Sequence, residues 1–224
     1  MISRNSNKSL CHILIGAFFL FLPSYVLAQK NSPYFKPYAS LGLCSSQISG
    51  DQLSGFNQIG LSGGYGIKIG HNETWAPRLE IFFTQKGSRK NARPDEGDYN
   101  SYFLKLNYVE VPLTLDFAPG KTGFHFGLSP AYLVSATEEN QNGEIPGLGR
   151  EFKSYDLNGI LGIQYRFHER WELATRYSQS ILPVREHAGN TSFRLNQGQY
   201  NSTIQFMLRF NLLYTEFISE KSKG

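Results

Sequence analysis

Sulfur is scarce in this sequence, which has two Cys and two Met among 224 residues. Cys11 lies in a leading segment that reads as a signal peptide, so Cys44 is left alone and an intramolecular disulfide framework is excluded. Long apolar runs are also missing. The longest, Ile13 to Leu22, spans ten residues, whereas a membrane helix needs about 20, which rules out a polytopic helical protein. Charge of one sign is not in excess either. The formal net charge is +4, and no basic stripe interleaved with aromatics points to nucleic acid. His12, His71, His125, His168 and His187 form no His-x-x-x-His pair and no Cys-x-x-Cys occurs, so no metal ligand set or cofactor site is expected. Neither a repeat of fixed period nor a Pro/Ser linker divides the chain, which suits a single domain.

What the chain does hold is Gly and aromatics: 22 Gly, 13 Tyr and 17 Phe. Aromatics fit pleated surfaces and Gly serves turns and tight curvature, so this composition favours strands. Arg4 and Lys8 precede the short apolar run, and Val26-Leu27-Ala28 places small or apolar residues before Gln29. That is the layout of a secretory signal peptide, residues 1–28, cut after Ala28. The expected organisation continues with a β-barrel over 29–214 and a polar tail over 215–224.

Eight segments alternate apolar and polar residues with a period of two, as strands do when their two faces see different surroundings. Ile59, Leu61 and Tyr65 oppose Gly60, Ser62 and Gly64, and Leu79, Ile81 and Phe83 oppose Arg78, Glu80, Thr84 and Lys86. Val109, Val111 and Leu113 oppose Tyr108, Glu110 and Pro112; Leu161 and Ile163 oppose Gly162 and Gln164. The connections alternate too. Gly70–Thr74, Ala118–Lys121 and His168–Glu169 are short, whereas 45–55, 87–100, 137–149 and 183–199 are long and polar. Short turns at one end and long loops at the other describe an eight-stranded antiparallel up-and-down transmembrane β-barrel, with its termini and short turns in the periplasm.

A soluble lipocalin-like barrel would share the period, but its apolar side chains must point inward. Here the apolar face carries large residues on every strand. The other face mixes Gly, Ala and Ser with charges, which suits a narrow lumen filled by side chains: Lys68, Arg78, Glu80, Glu110, Asp116, His125, Asp156, Arg166, Glu172, Arg176 and Arg209. Aromatics cluster at both strand ends. Phe35, Trp75, Phe117, Phe124, Phe167 and Trp171 flank the short turns, and Phe83, Tyr132, Tyr155 and Tyr177 lie near the long loops. Two such girdles mark two membrane interfaces.

Several of these segments resemble the PorT family of outer-membrane β-barrel proteins, common in Bacteroidota. Tyr108-Val-Glu-Val-Pro-Leu113 is similar to the family's aromatic-x-Glu-Ile-Pro-Leu strand, and Leu79 to Gly87 (LEIFFTQKG) to its strand ending in Gln-Lys-Gly. Phe126-Gly-Leu-Ser-Pro-Ala-Tyr-Leu133, Asn158-Gly-Ile-Leu-Gly-Ile163 and Arg176-Tyr-Ser178 follow in the expected order. The resemblance implies an eight-stranded barrel in a cell outer membrane. It implies little about activity, since only some members are connected with protein secretion.

Among the lumen groups, Glu110 must find a cation, because an unpaired carboxylate in a narrow interior is costly. Arg78, Arg176 and Arg209 are the expected partners. Pro112 lacks an N–H and deletes a ladder rung, and the shift of apolar face between Leu104/Leu106 and Val109/Val111 suggests a bulge. His125 with Ser129, or Ser180 with Glu186 and His187, could be imagined as base and nucleophile, but no Gly-x-Ser-x-Gly elbow accompanies either. Arg89, Lys90 and Arg93, followed by Asp95, Glu96 and Asp98, form a loop able to meet lipopolysaccharide phosphates or a partner protein. The expectation is a monomeric, non-enzymatic barrel with a structural or interaction role at the envelope. Its partners would be outer-membrane lipid, lipopolysaccharide and an envelope or secretion-complex protein. An enzyme acting on lipids or peptides, or a narrow solute channel, is the alternative.

Overall fold

The computed structural model describes residues 34–50, 55–70, 74–145, 151–186 and 198–213. The expected signal peptide, the polar tail over 215–224, His71 and His187 lie outside the described residues.

Among the described residues ten strands carry the fold: β1 (Tyr34–Ser49), β2 (Gln58–Gly70), β3 (Trp75–Lys90), β4 (Tyr102–Glu110), β5 (Leu113–Phe117), β6 (Thr122–Asn140), β7 (Gly143–Glu144), β8 (Tyr155–Arg166), β9 (Trp171–Ser180) and β10 (Tyr200–Asn211). β4 and β5 are two halves of one wall, both lying between β3 and β6, and β7 is a short return against β6. The eight walls run β2-β1-β10-β9-β8-β6-β4/β5-β3, and the β2–β3 pairing closes the ring. All pairings are antiparallel. Closure leaves no edge strand, which is the condition for a sheet to cross a bilayer.

Burial shows which way the sheet faces. Leu41 is 72% exposed and Ile59 70%, while Glu80 and Arg176 are 1% exposed. A soluble barrel would reverse these values, so the apolar face is the outer one. Adjacent residues on one strand thus face different media. Leu79 points outward at 41% exposure, midway between the exposed rings of Trp75 and Phe83. Leu79→Arg is expected to cost about 2–4 kcal/mol in vesicle-folded protein, as a cation at the bilayer midplane does. Urea titration in vesicles measures it, and an unchanged midpoint would mean that this face is not in lipid.

Two expectations are corrected. Strands β1, β3 and β6 run on to Ser49, Lys90 and Asn140, past the points where loops were expected. Polar residues stand on both faces of these extensions, so they read as loop in the sequence, yet Ser46, Ile48 and Ser88 still point inward and are buried while the hydrogen-bond ladder persists. The bulge expected at Pro112 is also elsewhere. Glu110↔Ala131 and Leu113↔Leu128 keep one register across Pro112, as do Phe82↔Glu110 and Leu79↔Leu113 on the other side. The irregularity falls on β6, where Asn107 pairs with Ser135 but Tyr108 with Leu133, leaving Val134 as the extra residue. Leu104 and Leu106 do not change face. They point inward with Tyr108 and pack with Ile48 and Ala131 as an apolar plug near the long-loop end.

Candidate functional site

Alternation along the closed ring sends the charged residues inward, where the lumen is too narrow for water to solvate each of them. Pairing must replace hydration. Toward the short-turn end, Arg78 donates to Asp116, and its Nη2 reaches the two Glu172 oxygens at 3.0 and 3.2 Å. Arg209 Nη1 donates to Glu172 at 2.8 Å and to Gln164 Oε1 at 3.2 Å, and its Nη2 reaches Glu80 at 3.4 Å. Glu80 also accepts from Arg176 at 2.5 Å and from the Tyr38 hydroxyl at 2.6 Å. Lys68 lies 3.9 Å from Asp116, which accepts from Gln164 Nε2 at 3.0 Å. Arg78 and Arg209 lie over the Tyr38 ring, at 5.0 and 5.6 Å from its centroid. These contacts link β1, β2, β3, β5, β8, β9 and β10 across the barrel.

Phe82, Ala174 and Met207 form an inward apolar cluster. A second polar cluster centres on Lys86. Its Nζ is 2.7 Å from Glu110 Oε1 and 3.9 Å from Asp156 Oδ2, donates to Asn158 Oδ1 at 3.1 Å, and sits over the Tyr108 ring. Asp156 further accepts from Ser180 Oγ at 2.9 Å and Asn201 Nδ2 at 3.1 Å. Glu110 therefore pairs with Lys86, not with Arg78, Arg176 or Arg209. Those three arginines are taken up by Glu80, Asp116 and Glu172 near the other end. Lys86 was the lumen cation missed among the expected site residues, although its place opposite Phe83 in the alternation marks it. Arg166 is corrected as well: it is half-buried, and its Nη2 reaches the Gly120 carbonyl at 3.5 Å in a short turn.

His125 is fully buried, and neither ring nitrogen has a hydrogen-bond partner among the described residues. Its imidazole lies over Gly162, where a Cβ would come 2.3 Å from Nε2. Ser129 Oγ donates to Glu110 at 3.4 Å and not to His125, so the imagined base and nucleophile are not in contact. Ser180 is turned inward toward Asp156, while Glu186 is exposed. Cys44 is buried, with Sγ 2.9 Å from the Gln85 carbonyl oxygen.

The expected girdle residues lie on the outer wall. Trp75 stacks on Phe117 at 4.5 Å and Trp171 on Phe210 at 4.7 Å near the short turns; Tyr132 meets Tyr155 at 5.3 Å near the long loops. Phe35, Phe124 and Phe167 are exposed at the first end, and Phe83 and Tyr177 are exposed on the same outer face.

Above the apolar plug, Arg185 and Gln199 pair where the last long loop leaves and rejoins the wall. Arg185 Nη1 donates to Glu138 at 2.8 Å, its Nε to Gln199 at 2.9 Å, and its guanidinium lies 4.1 Å over Phe152. Burial opposes the charge of Arg185, but the Glu138 carboxylate outweighs this and holds its pKa above the ordinary value. The cations of the second loop are also engaged. Lys90 is 2.7 Å from Asp98, whose pKa that contact lowers, Arg93 pairs with Glu96 at 3.2 Å, and Arg89 donates to Asn91.

Solved outer-membrane protein structures are similar to this chain at low identity and low TM-score. Neisserial surface protein A has a TM-score of 0.45 and 13% identity over 80% of this chain and 99% of its own. The attachment invasion locus protein Ail of Yersinia pestis has a TM-score of 0.45 and 14% identity over 78% and 98%. OprG of Pseudomonas aeruginosa has 0.32 and 14% over 80% and 95%. No curated protein matches the sequence significantly. A family model described as an outer membrane protein beta-barrel domain matches residues 22–185, most of the chain and seven of its eight walls. With the inverted burial and the closed ring, the assignment is plain: this chain belongs to the outer-membrane β-barrel domain family.

Proposed function

We propose that this protein is a monomeric, closed outer-membrane barrel of the PorT type that serves as a structural or interaction element of the envelope. In this reading residues 1–28 are removed on export, both termini lie in the periplasm, and the long loops face outward to an envelope or secretion-complex protein. The observation that carries it is the lumen. Arg78, Arg176 and Arg209 are tied to Glu80, Asp116 and Glu172 across the barrel, and the Leu104/Leu106 plug lies toward the other end. In this reading such a core fills the lumen with side chains; open diffusion pores need roughly 16 strands. Outer-membrane lipid surrounds the apolar wall. Lipopolysaccharide phosphates at the second loop would compete with Asp98 and Glu96 for Lys90 and Arg93, which favours a protein partner there.

Purified barrel in planar bilayers is expected to show no stepwise conductance, whereas crosslinking in whole membranes should retain a defined envelope protein. Reproducible single-channel steps would overturn the closed reading, and crosslinks to lipid alone would overturn the interaction role.

A further inference from the structure

The lumen carries donors that no acceptor takes up. Arg176 spends Nη2 on Glu80 at 2.5 Å, while its Nε and Nη1 are buried without a hydrogen-bond partner among the described residues. Both ring nitrogens of His125 are in the same position. Neither side chain reaches solvent, Arg176 being 1% exposed and His125 0%. A guanidinium can only donate, and a buried donor left without an acceptor forfeits its whole desolvation cost. The nearest carboxylate is already shared, since Glu80 accepts from Arg176, Arg209 and the Tyr38 hydroxyl.

The wall brings these donors together. His125 on β6, Gly162 on β8 and Arg176 on β9 are successive register partners, on strands about 4.7–4.9 Å apart. Between the two side chains the row holds only a glycine, and the imidazole leans into that gap: a Cβ on Gly162 would come 2.3 Å from Nε2 and 2.4 Å from Cε1. The Nε2 edge of the ring thus lies on the side of Arg176. Asp116 is the register partner of His125 on the opposite side, on β5, and its Oδ2 is occupied by Arg78 and Gln164. The cations that act on the ring are Arg209, Arg176 and Arg78. Among the described residues this layer sets four buried cations, Lys68, Arg78, Arg176 and Arg209, against three buried carboxylates, Glu80, Asp116 and Glu172.

We propose that the lumen binds one small inorganic anion of chloride size over Gly162, held between the imidazole of His125 and the Nε and Nη1 groups of Arg176. A charged acceptor answers both observations, the unused donors and the surplus cation of the layer. Water accepts from the same donors but leaves that cation without a counter-charge. The inference goes beyond the envelope role and rests only on the filled lumen. An open lumen would declare itself as conductance in planar bilayers, whereas the anion declares itself in halide dependence.

Urea titration of the vesicle-folded barrel, in chloride and in gluconate at equal ionic strength, tests this. At a fixed urea concentration near the midpoint, raising chloride tenfold at the expense of gluconate should raise the folded-to-unfolded ratio several-fold, approaching about tenfold once chloride exceeds its dissociation constant. Crystals grown in bromide should show an anomalous peak between His125 and Arg176. His125→Leu removes one arm of the site without adding a polar group, and should abolish the chloride dependence. Identical ratios in chloride and gluconate, a chloride effect that survives in His125→Leu, or bromide density absent from this spot would each overturn the proposal. The wild type alone supplies two of these three results if the variant does not fold.

Discussion

Glu80→Ala is expected to destabilise the barrel by about 3–5 kcal/mol, the effect of removing one partner from a buried charge cluster. Its carboxylate is the shared acceptor of Arg176, Arg209 and the Tyr38 hydroxyl, so its loss takes the carboxylate from the fully buried Arg176 and leaves Arg209 with Glu172 alone. Gln in its place keeps an acceptor but no charge and should fall between Ala and wild type. The measurement is the temperature at which the fast-migrating folded form disappears on an unboiled gel, with urea unfolding in vesicles for the free energy. If Glu80→Ala left both unchanged, the cross-lumen network would not be what holds the walls together.

Lys86→Met should cost a similar amount, about 3–5 kcal/mol, for the converse reason: Glu110 and Asp156 lose the cation they share. The discriminating experiment is the pair. Lys86→Met combined with Glu110→Gln removes both charges of the close pair and should be less destabilising than Lys86→Met alone, since replacing a buried ion pair entirely is far milder than breaking it. Additive losses in urea titrations would show that the two side chains act independently despite their 2.7 Å separation. Arg176 serves as the internal control. It belongs to the Glu80 cluster, so its changes should add to those at Glu110.

The inside-out character of the barrel was legible from the chain because it rests on local alternation. Leu79, Ile81 and Phe83 against Arg78, Glu80 and Lys86 already separate a lipid face from a lumen face, and side-chain direction in a strand follows residue parity alone. The same parity placed Glu110, Asp116, His125 and Arg209 inside. It also placed Lys86 there, opposite Phe83, although the expected lumen charges did not include it.

Parity does not say which inward residues share a level. That depends on strand tilt and stagger around the ring, which bring Glu110 to Lys86 on the adjacent wall rather than to any of the three arginines. Nor does it distinguish Leu104 and Leu106 turning inward as a plug from a bulge that reverses the face, since both read as apolar residues out of phase. By itself the sequence determined a chain of eight alternating strands with a wet face too charged and too Gly-rich for anything but a narrow lumen. Only the tertiary structure decided who pairs with whom inside it, and that the extra residue belongs to Val134 on the neighbouring strand. Those are properties of registers between strands, and a register is set by the closed ring as a whole.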